Sequence, residues 1–164
     1  MDQIDPVERA RTLFLDEANV YGCAETVFVV LKEAYDLPEA DDSAAAMTLN
    51  GGLAYSGGPC GAVSGAAMAV GLLAAERIDD HRAAKTAARR IVMQLMDEFV
   101  GAFGASDCRT LTGVDLRTEA GHRAFIEGGI WRDRCMRQIE FVVGRLAPLV
   151  DGTTWEETLA ETQR

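Results

Sequence analysis

The chain has 164 residues, 48% hydrophobic and 26% charged, the balance of an ordinary globular domain with a full core. Its formal net charge of −10 excludes the basic face that nucleic-acid binding requires, and it argues against anionic membrane surfaces. The opening Met1-Asp2-Gln3-Ile4-Asp5 is acidic and lacks the basic-then-apolar order of an export signal, so a cytoplasmic protein is expected.

Taken in chain order, the first element is a helix. Asp5 is placed to cap it, Pro6 suits its first position, and Glu8 stands where a capping box needs it. Val7, Ala10, Phe14 and Ala18 follow at helical spacing, and Gly22 interrupts. A second helix is predicted over residues 23–35, with Cys23, Val27, Val30, Leu31 and Ala34 on one face. Pro38 closes it. Residues 39–42 form an acidic linker, and a short alanine-rich helix is expected over 43–49.

The charge-free stretch from 43 to 75 is broken by Asn50, Gly51, Gly52, Gly57, Gly58 and Pro59. What remains is an apolar helix too short to span a bilayer comfortably. It begins Gly57-Gly58-Pro59-Cys60-Gly61-Ala62-Val63-Ser64-Gly65. Pro59 fits a first helical position, which puts Cys60 in the first turn. The unpaired N–H groups and the dipole at that end favour a thiolate. Gly61 and Gly65, four apart, share a helix face, and with Gly71 they make a costly set, since each helical glycine loses about 1 kcal/mol relative to alanine. The pattern reads as a thin helix wall with a cysteine at its mouth. The alternative is a tightly packed buried helix with Cys60 as a small hydrophobe.

A long amphipathic helix follows over 80–103, with Ala84, Ala88, Ile91, Leu95, Phe99 and Phe103 on its core stripe. Ser106 or Asp107 then caps a short helix with Cys108 in its first turn. Residues 118–127 read as a helix closed by Gly128-Gly129. Residues 131–146 read as another, with Cys135, Ile139, Val142 and Leu146 facing inward. Thr153-Thr154-Trp155-Glu156 is a capping box for a last short helix. Nothing alternates as a strand. The expected fold is a single, compact all-α domain, 1–164, of five to seven helices.

The four cysteines, Cys23, Cys60, Cys108 and Cys135, stand at helix starts or on apolar faces. They form no Cys-x-x-Cys pair, so zinc ribbons and thioredoxin-type motifs are not supported, and no Cys-x-x-Cys-His exists for covalent haem. Thiolates from separate helices can converge on an iron–sulfur cluster or a soft metal, serve as a dithiol pair, or pack as unrelated core thiols. His81 and His122 read as surface residues. Met47, Met68, Met93 and Met96 read as core filler. The glycine-rich turn at 57–61 lacks the Gly-x-x-x-x-Gly-Lys of a phosphate loop.

Cys60-Gly61-Ala62-Val63-Ser64-Gly65, followed by Met68 and Gly71, resembles the CGAxxG signature of the C_GCAxxG_C_C family of redox-active proteins. Gly22-Cys23-Ala24-Glu25 is similar to the family's first cysteine segment, and Cys108-Arg109-Thr110-Leu111-Thr112-Gly113 to its third. Cys135 opens an amphipathic helix, as the fourth does. The resemblance covers residues 10–147. The family extends to a domain of split-Soret cytochrome c, which also carries haem, but this chain has no haem-attachment motif. What the resemblance implies is one shared cysteine site, as a cluster or as a dithiol.

The first expectation is therefore an electron-transfer protein. Cys23, Cys60, Cys108 and Cys135 would supply some or all ligands of an iron–sulfur cluster, the thin face of Gly61 and Gly65 would let the other helices approach this cofactor, and the acidic surface would dock a basic redox partner protein. The second is a metal-free redox enzyme or sensor with Cys60 as attacking thiolate. The third is a non-catalytic helical interaction module. A homo-oligomer is compatible with all three.

Overall fold

The structure, a computed structural model, describes residues 4–161. Met1 to Gln3, where the acidic N-terminus begins, lie outside the described residues. The chain is all-α, as expected: α1 (Pro6–Phe14), α2 (Cys23–Ala34), α3 (Gly61–Arg77), α4 (His81–Phe103), α5 (Cys108–Thr112), α6 (Glu119–Glu127), α7 (Met136–Leu146) and α8 (Gly152–Glu161). The described residues thus hold eight α-helices rather than five to seven, because short capped segments such as α5 each complete a turn. Among them there is no strand, only an isolated antiparallel bridge between Pro59 and Asp107. No helix is long and apolar enough to cross a membrane.

Helix α2 is the centre of the molecule. Every residue from Ala24 to Lys32 is buried, so no polar face remains, and α2 packs on α3 more extensively than any other pair of helices. Helix α7 lies against α1, α2 and α3, and α4 covers the other side of α3. Lys32 is buried but not unpaired. Its Nζ donates to the carbonyls of Glu39 (2.8 Å) and Asp42 (2.5 Å), so the acidic linker folds back over it. Tyr35 donates its hydroxyl to the Leu146 carbonyl at 2.9 Å, tying α2 to the end of α7. Arg145 grips Glu98 across α7 and α4. One cluster of buried side chains reaches from Ala10 to Trp155.

Several local expectations shift. Residues 43–49 form only a 3-10 turn, Ala44–Ala46. Residues 131–146 begin as a π turn, Trp131–Cys135, before α7 proper. The last helix is capped by Asp151, whose carboxylate accepts from the Thr154 N–H at 2.9 Å, so the cap lies upstream of the proposed capping box. Met47 and Met93 are exposed rather than core filler. Cys60 is the N-cap of α3, with φ −52° and ψ 128°, not a residue of its first turn. The cause is the bridge at Pro59, which holds the entering chain extended.

The glycines of α3 have different reasons. A Cβ on Gly65 would lie 2.3 Å from the Ala24 carbonyl oxygen, so this glycine lets α3 touch the backbone of α2. A Cβ on Gly71 would meet nothing within 4 Å. Gly65→Ala is therefore expected to destabilise the fold by about 2 kcal/mol through overpacking. Gly71→Ala is expected to be neutral or to stabilise by up to about 1 kcal/mol. Urea unfolding of the two variants measures both.

Candidate functional site

The four cysteines arrive from four separate segments. Cys23 is the first residue of α2 and Cys60 the N-cap of α3. Cys108 is the first residue of α5 and Cys135 the last of the π turn before α7. Two of these segments are stitched directly. The Cys60 N–H donates to the Ser106 carbonyl (2.8 Å), the Cys108 N–H to Gly58 (2.7 Å), and the Arg109 N–H to Gly57 (3.2 Å). The two glycine- and serine-rich turns before Cys60 and Cys108 thus pair with each other. Cys135 is tied in by its neighbour, since Arg134 reaches the Thr112 carbonyl of α5 at 3.1 Å. Cys23 sits against α3. A Cβ on Gly61 would lie 2.5 Å from its sulfur.

The sulfurs are close enough to feel one another electrostatically. Charge on Cys23 would act on Cys60, Cys108 and Cys135, charge on Cys108 would act on Cys60, and both Cys60 and Cys108 would act on Cys135. Every pair among the four is coupled. Cys60, Cys108 and Cys135 are buried, Cys23 is partly buried, and all four are free thiols.

Burial decides their protonation. It pushes the Cys60 thiol up to about 12, with Cys23 adding to the shift, although the N–H groups of Ala62 and Val63 pull the other way. It pushes Cys108 up to about 11. It also raises Cys135 and Cys23, the latter against the Gly51 N–H. The thiolate expected at Cys60 from its helix start is overturned for the metal-free protein, because loss of solvent outweighs the helix-end N–H groups.

Cys23, Cys108 and Cys135 line one cavity of about 280 Å³. Phe14, Trp131 and Leu116 give it apolar walls, and Phe14 meets Trp131 edge-on at 5.6 Å. Glu25 and Asn50 border it as polar groups. Tyr55, His122 and Ile126 form its outward side, where His122 meets Tyr55 edge-on at 5.8 Å. Cys60 is outside the lining of this cavity, and its thiol donates to the Gln138 amide oxygen at 3.6 Å. A roomier cavity of 630 Å³ beside α1 carries no cysteine. Among the described residues, no three His, Cys, Asp or Glu side chains are arranged to hold a metal ion as they stand.

Gly61 lies at the site, whereas Gly65 serves the contact between helices. Gly57 and Gly58 donate their N–H groups to Gly51 and Gly52, so this turn offers no phosphate cradle. The roles of Asn50, Glu25 and Gln138 were not anticipated. The Gly22-x-x-Glu25 capping box and the turn signal Asn50-Gly51-Gly52 were visible signals for the first two, while Gln138 carried none.

A helical domain that brings four free thiols from four segments, three of them onto one cavity, has an arrangement suited to thiol-based redox chemistry. A family model described as "Putative redox-active protein (C_GCAxxG_C_C)" matches residues 21–148. The chain belongs to this C_GCAxxG_C_C family. Neither a curated protein nor a solved structure matches it significantly.

The raised thiols give a pH dependence with a definite sign. Below about pH 9 folded and unfolded chains both keep their thiol protons, so this contribution is constant. Above it the unfolded chain releases them while the folded chain holds Cys108 to about 11 and Cys60 to about 12. Stability of the metal-free, reduced protein is expected to fall as pH rises through this window. Replacing Cys60 by Ala should flatten the fall in a thermal-melt series from pH 8 to 11.

Proposed function

We propose that this protein transfers electrons through an iron–sulfur cluster held by Cys23, Cys60, Cys108 and Cys135. The observation that carries the reading is the convergence of four free thiols: Cys23, Cys108 and Cys135 line one cavity, and Cys60 is held next to them by its bond to Ser106 and by Gly61 against the Cys23 sulfur. Four thiolates are the donor set such clusters take, and Gly61 leaves the space beside the Cys23 sulfur that a side chain would fill. When bound, the cluster stores and releases single electrons.

The chain's own residues do the rest. Phe14, Trp131 and Leu116 keep water from the thiol side of the cavity. The N–H groups of Ala62, Val63 and Gly51 donate to sulfur and lower the cost of negative charge there. Burial disfavours four uncompensated thiolates, so cationic iron is the natural counter-charge. Tyr55, His122 and Ile126 lie on the outward side, where a redox partner protein would approach the site. The net charge of −10 suits a basic partner.

A metal-free dithiol mechanism is the second reading, and the adjacency of Cys23 and Cys60 across Gly61 supports it. The raised Cys60 thiol counts against it, because attack on a disulfide requires a thiolate. Anaerobic purification followed by iron, acid-labile sulfide and thiol analysis decides between them. Iron and sulfide in matching amounts with visible absorbance, lost when any one of the four cysteines is replaced by Ser, is the expected result. A colourless, iron-free protein that loses a pair of thiols on mild oxidation would overturn the cluster reading in favour of the dithiol.

A further inference from the structure

Beside Cys23 stands a fully committed polar group. The Asn50 Nδ2 donates to Glu25 Oε2 at 2.8 Å and to the Met47 carbonyl at 3.1 Å. Neither partner is a donor in the carboxylate and carbonyl forms, so the amide orientation is fixed by chemistry. The Asn50 Oδ1 then faces the other way. It accepts from the Ala24 N–H at 2.9 Å, and the Cys23 thiol points at it from 3.8 Å.

Glu25 anchors this amide. It is buried, and its carboxylate also accepts from the Gly22 N–H (3.0 Å) and the Ser43 hydroxyl (3.1 Å). Gly22 is the residue that admits Asn50, since a Cβ there would lie 2.3 Å from the Asn50 Cγ. Gly61 also borders the Cys23 sulfur, which a Cβ there would approach to 2.5 Å. Directly after Asn50 the backbone runs left-handed from Gly51 through Gly52, Leu53 and Ala54 to Tyr55. Three of these residues are not glycine, at a cost on the order of 1 kcal/mol each.

We infer that Asn50, locked by Glu25, is a positioning residue that fixes the Cys23 sulfur within the four-cysteine site. The inference rests on the reading of that site as one redox centre. It assigns Glu25 and Asn50 to a single bracket, in which Glu25 holds the amide that orients Cys23. A buried carboxylate and a partly buried amide beside a thiol are then explained by orientation of the sulfur rather than by general packing.

The test is a set of variants in the full chain with two readouts. In the metal-free, reduced protein, iodoacetamide labelling of each cysteine is followed by mass spectrometry. Asn50→Ala is expected to raise the Cys23 rate on the order of tenfold and leave Cys60, Cys108 and Cys135 unchanged. Glu25→Ala should do the same. Glu25→Gln should restore the slow rate, because its amide oxygen can still accept from Gly22 and Asn50. After anaerobic reconstitution with iron and sulfide, Asn50→Ala should also shift the reduction potential. Acceleration of all four thiols together, failure of Glu25→Gln to rescue, or a reduction potential unmoved by Asn50→Ala would overturn the inference. If iron does not bind, the cluster reading fails while the labelling pattern still decides the role of Asn50.

Discussion

The close approach of α3 to the start of α2 is the contact on which the rest of the structure depends. Gly65 meets the Ala24 carbonyl, and one turn earlier Gly61 meets the Cys23 sulfur. A methyl group at either position would force these backbones apart. Because α2 is buried along most of its length, it has no other surface on which to settle. The same contact that seals the core therefore places Cys23 beside the entrance of α3, where Cys60 caps the helix.

The other two cysteines are brought to that point by backbone pairing rather than by helix packing. The turn before Cys60 and the turn before Cys108 exchange hydrogen bonds around the Pro59–Asp107 bridge. Asp107 caps α5 through the Thr110 N–H, and Arg134 fastens the π turn to the end of α5. Short polar connections thus converge on a site where three of the four thiols are buried. The consequence is electrostatic. Thiols held away from water and close together resist ionisation, so an uncharged, metal-free site is stable and a charged one needs a counter-charge. In the proposed reading a cationic metal would supply that counter-charge, with release of protons.

Much of this was legible in the sequence, for physical reasons that differ by element. The amphipathic stripe of α4 and the Asp5 cap of α1 are local signals, and both hold. The glycine spacing in α3 correctly marked a close approach, but spacing could not separate Gly65, which needs the space, from Gly71, which does not. The protonation of Cys60 was misjudged because a helix start is visible locally, whereas burial depends on everything packed around it. Asn50 was read as a loop residue. Its partners, Glu25 and Cys23, lie more than twenty residues away, and no local pattern announces such a bracket. The left-handed run through Leu53, Ala54 and Tyr55 is likewise imposed by long-range fit against residue preference.

The central claim is that four cysteines from four segments serve one redox centre. Diffraction at the iron absorption edge from crystals of the anaerobically reconstituted protein tests it most directly. The account predicts anomalous density enclosed by the sulfurs of Cys23, Cys60, Cys108 and Cys135. Iron held elsewhere, or held with one of these cysteines turned away from it, would contradict the account.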